Sequence, residues 1–202
     1  IRMRLVGSEM CIRDSYLTEA ELLENTNYLK PRIKKKKVIV FIAGGPNKYY
    51  DFNDKIIEKI FIKTKKNFIN QGYQLIFIPS MRTPRETVDK AQNFFDDDQI
   101  IISDIDKKAY LSALSLADHI IVTCDSTSMI SEAAMTGRPI YVAQMPSIKK
   151  NIRFQKFFEL FKSLDIIKNL EDKVEEWSYK KLNETHRISG YIEKQFKDYD
   201  FS

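Results

Sequence analysis

HIIVTCDSTSMISEAAMTGRPIYVA, residues 119–143, is the stretch on which the fold turns. His119–Thr123 is an unbroken run rich in Ile and Val, as expected of a short strand covered on both faces. A turn crowded with hydroxyl residues follows, then a short helix of small residues over 128–135, closed by Gly137 and Pro139. The run 139–143, PIYVA, is apolar again. A strand, a crossover helix and a second covered strand in so few residues make a parallel βαβ unit.

The same alternation extends toward the N-terminus. VIVFIA (38–43), QLIFI (74–78) and QIII (99–102) read as three further buried strands. The spacing predicts helices between them. Residues 54–70 set Ile56, Ile57, Ile60, Phe61, Thr64 and Phe68 on one stripe, with Gly72 as the stop. Residues 84–95 open on Thr83, Pro84 and Glu86, which reads as a capping box with proline at the first helical position. Residues 107–117 follow Asp106 as a cap and bury Tyr110, Leu111, Leu114 and Ala117. On the C-terminal side, 154–164 is amphipathic, Trp177 sits in a loop-like stretch, and a last helix is expected from Thr185 to Lys197. The fold class is therefore α/β: a doubly wound, Rossmann-like parallel sheet.

Composition agrees with a packed domain: 43% hydrophobic, 30% charged, formal net charge +5. That mild basicity suits a phosphate-bearing ligand or an anionic surface, while the dense basic stripe of a nucleic-acid reader is missing, so no nucleic-acid partner is expected. Two cysteines make no disulfide framework, and Cys124 reads as a small core residue. His119 and His186 lack metal-ligand spacing, so no metal is expected, and His119 reads as a strand-edge core residue. No apolar run approaches the ~20 residues of a membrane span, and no leader is read. The expected compartment is cytoplasmic, with peripheral contact to the inner face of a membrane. The chain starts at Ile1, and LVGSEMCIRDS (5–15) resembles a translated library adapter, so residues 1–15 are expected to be non-native. Residues 16–30 read as a helix capped by Thr18 and ended by Pro31. The run Lys34–Lys37 reads either as a phosphate or membrane patch or as a solvated linker. Residues 16–37 are thus expected to be the remnant of a missing N-terminal domain, and 38–202 the domain proper with a C-terminal crossing helix.

Ligands of an open parallel sheet sit at the carboxyl ends of its strands, so the chemistry is sought in the following loops. AGGPNKYY (43–50) offers Gly44 and Gly45, read as allowing a positive φ and a close ligand approach, with backbone N–H groups aimed at a phosphate. In PSMRTPRE (79–86), Arg82 is placed for bidentate pairing with a diphosphate, and Ser80 and Thr83 add hydroxyls, Thr83 serving chiefly as a helix cap. SDID (103–106) either faces a nucleobase or only caps through Asp106. The strongest signal is Ser126, Thr127 and Ser128 at a strand-to-helix turn, an anion site by its free N–H groups and dipole. Glu132, one turn on, either accepts from a ribose diol or is a first-turn acid complementing that dipole, with Ser128 as cap.

Tyr110 through Pro139 resembles the donor-binding segment of GT-B glycosyltransferases, with its "AD" before a strand, a Ser-rich turn, a Glu-bearing helix and a G-x-P strand. More narrowly, GGPNKYY, PSMRTP, DSTSMISEA and LNET (182–185) together resemble the mitochondrial-fission Elm family across about residues 16–195. The resemblance implies the C-terminal half of a GT-B-type fold. Gly44, Gly45 and Asn47 match its first motif; Ser80, Arg82 and Thr83 its second; Asp125, Ser126, Ser128, Met129 and Glu132 its third. By similarity to GT-B enzymes, Ser126 to Ser128 hold the diphosphate and Glu132 the ribose of a nucleotide-sugar donor, with no further cofactor. Asn183, Glu184 and Thr185 match a late motif whose role the residues do not reveal. GT-B proteins place the acceptor site, and commonly the base, in the N-terminal domain, so no catalytic residue is assigned and this length alone is not expected to catalyse transfer. Three functions are carried forward: the donor-binding half of a glycosyltransferase-type protein, a non-catalytic scaffold recruiting a membrane-remodelling partner, and a nucleotide-sugar epimerase.

Overall fold

The computed structural model describes residues 17–171 and 174–181. The adapter expectation at 1–15, the expected helix from Thr185 to Lys197 and the LNET motif lie outside them.

The chain alternates as the periodicity predicts. Helix α1 (Glu19–Asn25) is followed by 3-10 turns at Thr26–Tyr28 and Lys30–Arg32, then β1 (Lys37–Ala43), α2 (Asp54–Asn67), β2 (Tyr73–Pro79) and α3 (Arg85–Phe94). Next come β3 (Ile100–Ile101), α4 (Lys107–Leu116), β4 (His119–Thr123), α5 (Thr127–Ala134), β5 (Ile140–Ala143), α6 (Ile152–Ser163) and β6 (Ile167–Asn169). Side chains set most helix starts. Thr18 and Glu21 form a reciprocal capping box on α1. Asn53, Asp106 and Asn151 cap α2, α4 and α6 by accepting from backbone N–H groups inside the first turn. Gly72, at φ 88°, ends the turn after α2 in the left-handed region, as glycine permits.

Three local readings change. The expected single helix over 16–30 breaks into α1 and two 3-10 turns, because Pro31 constrains the end and Leu29 must turn inward to the core. The capping box on α3 does not form. Pro84 is the N-cap, and the Thr83 hydroxyl is spent elsewhere. Strand β6 went unread because it has only three residues, with Lys168 at its centre, and is introduced by Asp165 at φ 53°.

All six strands are parallel, in the order β3-β2-β1-β4-β5-β6. The fold is a doubly wound Rossmann-like α/β sheet. The central strands β1, β2 and β4 are buried along nearly their whole length, which is why their sequences are continuous apolar runs rather than alternating ones. Phe41, Phe61 and Phe77 meet in the core with ring centroids 5.5–6.0 Å apart. Cys124 is buried, and desolvation pushes its thiol up to about 12, as for an inert core residue. The segment before β1 docks on α4. The Leu29 N–H donates to Ser112 Oγ at 3.0 Å, Ser112 Oγ donates to the Thr26 carbonyl at 3.0 Å, and Thr26 and Ser115 hydroxyls are hydrogen-bonded. In the Lys34–Lys37 run, Lys35 pairs with Asp98 and Lys37 with Glu176.

At the amino ends of the strands, residues 174–181 run as a strap under the sheet. Tyr141 Oη donates to the Glu175 carbonyl at 2.9 Å and accepts from the Glu175 N–H at 2.7 Å, and Trp177 stands edge-on to Tyr141 at 5.0 Å. His119, 1% exposed, packs among Phe68, Tyr73 and Tyr141, and its Nε2 lies 3.4 Å from the Glu176 carboxylate. That separation is an ion-pair distance, and neither ring nitrogen makes a hydrogen bond. Burial holds the imidazole pKa below its usual 6.5, with Glu176 opposing the shift. A depressed base stabilises the fold above 6.5 and loses that contribution as pH falls toward the folded value. Stability is therefore expected to begin dropping as pH falls below 6.5, before carboxylates such as Asp98, whose pKa Lys35 lowers, begin to matter. Urea melts of wild type and His119→Gln on either side of that pH check this: the variant's profile is expected to be flatter, and equal slopes remove His119 as the cause.

Candidate functional site

In this strand order the chain leaves β1 toward β2 on one side and returns to β4 on the other. The crevice beyond the carboxyl ends of β1 and β4 is the topological switch point, where such sheets take ligands. Three of the four candidate loops, those after β1, β2 and β4, arrive there; SDID follows β3 at the edge of the sheet.

Asp125 is the hub. Its side chain is fully buried, and Oδ2 accepts from the Gly45 N–H at 3.0 Å and from Arg82 Nη2 at 2.8 Å. Its Oδ1 is buried with no hydrogen-bond partner. Around it the loops are sewn together. Gly44 N–H donates to Thr123 Oγ1 at 2.7 Å, and Asn47 Nδ2 donates to the Asp125 carbonyl at 3.2 Å. Asn47 Oδ1 folds its own loop by accepting from the N–H groups of Tyr49 and Tyr50. Thr83 Oγ1 sits 2.8 Å from the Ala43 carbonyl and 2.7 Å from the Gly44 carbonyl, donating between them, and accepts from the Ser80 N–H at 2.8 Å.

This geometry revises the reasons for several of the chosen residues. Gly44 and Gly45 do not have positive φ; among the described residues the positive-φ glycines are Gly72 and Gly137. They are small because protein fills the space. A Cβ on Gly44 would lie 2.2 Å from the Asp125 carboxylate oxygens, and one on Gly45 1.9 Å from the Arg82 carbonyl oxygen. Arg82 is 43% exposed along its side chain, yet its charge is held by a fully buried carboxylate, so it is a strut between loops before it is anything else. Thr83 and Ser80 share that bracing work.

The start of α5 is different. Ser126 is its N-cap and makes no side-chain capping bond. Ser126 Oγ instead lies 3.2 Å from Ser128 Oγ, and Ser128 does not serve as the cap. The first turn of the helix thus meets the switch point with two hydroxyls and its amide dipoles, an arrangement that favours an anion. Met129 packs half-buried against the core. One turn on, Glu132 Oε2 accepts from Tyr110 Oη at 2.6 Å, across from α4 to α5. Burial first, and the Glu132 charge second, push the Tyr110 phenol well above its usual 10, so it stays a donor. In the SDID loop, Asp106 is a cap: its Oδ1 accepts from the Ala109 N–H at 3.0 Å.

Thr123 and Tyr110 were not among the chosen residues. Thr123 carried a faint signal, a hydroxyl ending an apolar strand. Tyr110 carried none, since its partner lies on another helix. Among the described residues no group of His, Cys, Asp and Glu is placed to hold a metal ion, and no helix is long and apolar enough to cross a membrane. Grooves of about 580 and 420 Å³ lie along β5 and β6, away from the switch point.

The profile of the family described as Mitochondrial fission ELM1 matches residues 13–196. The chain belongs to that family. It is 30% identical over 169 residues to Uncharacterized protein RP120 of Rickettsia prowazekii (strain Madrid E), covering 80% of this chain and 48% of that protein. It is 37% identical over 87 residues to Mitochondrial fission protein ELM1 of Arabidopsis thaliana, covering 43% of this chain and 20% of that one. The chain thus spans half or less of these relatives' length. Solved structures resemble this ELM1-family chain in fold at low identity. UDP-GlcNAc 2-epimerase from Neisseria meningitidis, bound to UDP-GlcNAc, is 15% identical over 85% of this chain and 43% of that one, TM-score 0.46. S. aureus MnaA with UDP is 17% identical over 94% and 51%, TM-score 0.46. E. coli ADP-heptose heptosyltransferase II is 13% identical over 62% and 38%, TM-score 0.40.

Proposed function

We propose that the chain is the donor-binding half of a GT-B-like glycosyltransferase-type protein and takes a nucleoside-diphosphate sugar at the β1/β4 switch point. The observation that carries the reading is the start of α5, where Ser126 makes no side-chain capping bond, opening beside Asp125 at the carboxyl ends of β1 and β4. There the helix N-terminus and the Ser126 and Ser128 hydroxyls receive the diphosphate. Glu132, held by Tyr110, presents its second carboxylate oxygen, Oε1, to the ribose diol. The Arg82–Asp125 pair ties the loops after β2 and β4 to each other beside that helix start. Transfer needs an acceptor held in line with the donor, which these residues do not supply alone; the catalytic base belongs to another part of the whole protein.

Calorimetry of this chain with UDP tests the reading. Wild type is expected to bind, and Glu132→Ala to bind at least about tenfold more weakly, the worth of a hydrogen bond to a charged group. Unchanged affinity in the variant removes the ribose assignment. No heat with UDP, ADP or CDP removes the donor site. The Arabidopsis relative's name, which is that of a fission protein, favours a second reading as a scaffold for a membrane-remodelling partner. Capture of a dynamin-like protein by a chain that binds no nucleotide would be its signature.

A further inference from the structure

The loops after β1 and β5 form a second feature at the carboxyl edge of the sheet. They are zipped together: Tyr50 and Ser147 form an antiparallel bridge, the Asp51 N–H donates to the Pro146 carbonyl at 2.9 Å, and the Ile148 N–H donates to the Tyr49 carbonyl at 2.8 Å. Phe154 of α6 braces the pair from below, 5.5 Å from the Tyr49 ring and 5.4 Å from the Tyr50 ring. The result is a fixed platform whose outward side chains are unlike those of an ordinary solvated turn. Ile148 is 65% exposed and Ile152 67% exposed. Between and around them stand Lys48, Lys149, Lys150 and Arg153, all exposed and without an ion pair among the described residues, against one acid, Asp51. Two more of the large exposed apolar side chains, Met81 and Ile105, lie in the other loops of the same edge, after β2 and β3.

We propose that this platform rests on an anionic lipid surface, with Ile148 and Ile152 entering the headgroup layer and the four cations pairing with lipid phosphates and carboxylates. The mixture of residues selects that occupant. Lysine is depleted at the cores of protein–protein contacts, where its desolvation is costly, so two lysines set between exposed isoleucines suit a dry protein interface badly. An interfacial membrane contact asks for that combination: apolar side chains buried a few ångströms deep beside basic ones at headgroup level. The Asp51, Ile148 and Lys149 N–H groups are already paired across the two loops, so docking need not break those hydrogen bonds. This surface and the donor site share an edge of the sheet but no residue, and neither proposal rests on the other.

Flotation with vesicles of phosphatidylcholine alone, and of phosphatidylcholine mixed with phosphatidylserine, tests it on the chain as it stands. Wild type is expected to float with the mixed vesicles and not with the neutral ones, and to be released by salt. Each cation near an anionic surface is worth roughly a fivefold change in partition, so Lys149→Glu/Lys150→Glu is expected to lower binding by more than about tenfold. Ile148→Ser/Ile152→Ser is expected to lower it as well while leaving the salt dependence. All four positions are exposed, and unchanged thermal melts keep misfolding out of the comparison. Lys34→Glu/Lys36→Glu makes the same charge change at the opposite edge of the sheet and is expected to keep at least half of the binding. Equal loss in that control, equal binding to both vesicle types, or full binding by the Lys149/Lys150 variant each overturns the proposal.

Discussion

Arg82→Ala is expected to lower the unfolding free energy by about 3 kcal/mol, the usual consequence of leaving one partner of a buried ion pair behind. The Asp125 side chain is fully buried, its Oδ1 already has no hydrogen-bond partner, and its Oδ2 leans on the Arg82 guanidinium at 2.8 Å. Without that cation, the Gly45 N–H is the donor that remains to the carboxylate. Asp125→Asn should cost less, because it removes the charge along with the need to neutralise it. The double variant Arg82→Ala/Asp125→Asn is expected to recover much of the loss, giving a coupling of 1 kcal/mol or more, on the order expected of directly contacting residues. Urea melts of the four proteins measure this. If Arg82 were only a ligand group reaching into the crevice, Arg82→Ala would weaken nucleotide binding and leave the melts unchanged. A coupling near zero rejects the strut.

Gly45→Ala is expected to be as damaging, by a different route. Its added methyl would meet the Arg82 carbonyl oxygen at 1.9 Å, the carbonyl carbon at 2.3 Å and Cβ at 2.8 Å. Those are mostly backbone atoms of a loop pinned by Thr83 and Ser80, so the clash cannot be relieved by swinging a flexible side chain. Overpacking of this kind costs about 1–3 kcal/mol, and here the shift also pulls the Gly45 N–H off Asp125. Gly72→Ala is the control. A Cβ there meets nothing within 4 Å, and the only cost is a left-handed backbone at φ 88°, about 1 kcal/mol. Thermal melts should rank Gly45→Ala well below Gly72→Ala. The reverse order would mean that the loops after β1 and β2 are not in contact.

Much of the architecture was legible because burial leaves a local imprint. A strand covered on both faces is written as an unbroken apolar run, and β1, β2, β4 and β5 fall within a residue or so of the expected bounds. A helix on such a sheet shows a stripe and a stop, as the apolar side chains from Ile56 to Phe68 and Gly72 do for α2. Where the imprint is weak the reading failed. Strand β6 is too short to make a run, and Thr83 looked like a cap because cap chemistry and cross-loop bracing use the same hydroxyl. The loops that carry the candidate residues after β1, β2 and β4 gather at one edge, since strand ends converge whenever a parallel sheet forms. The tertiary contacts give three of them a structural reason that the sequence does not show. Gly44 and Gly45 are small for the sake of Asp125 and Arg82, and Arg82 is committed to Asp125.

By itself, then, the sequence determined five of the six strands among the described residues, which faces are covered, and that the loops of interest gather at one edge. Those are properties of neighbouring residues, carried by unbroken apolar runs for the strands and by a period of 3.6 for the helices. Only the tertiary structure decided that Asp125 holds Arg82, that Thr123 takes the Gly44 N–H and that Tyr110 fastens Glu132. The partners in those contacts come from different loops and helices, 43, 79 and 22 residues apart along the chain. No local pattern records such a meeting, because strand order, not sequence spacing, brings the groups together, and hydrogen-bond geometry then chooses among the donors and acceptors that arrive.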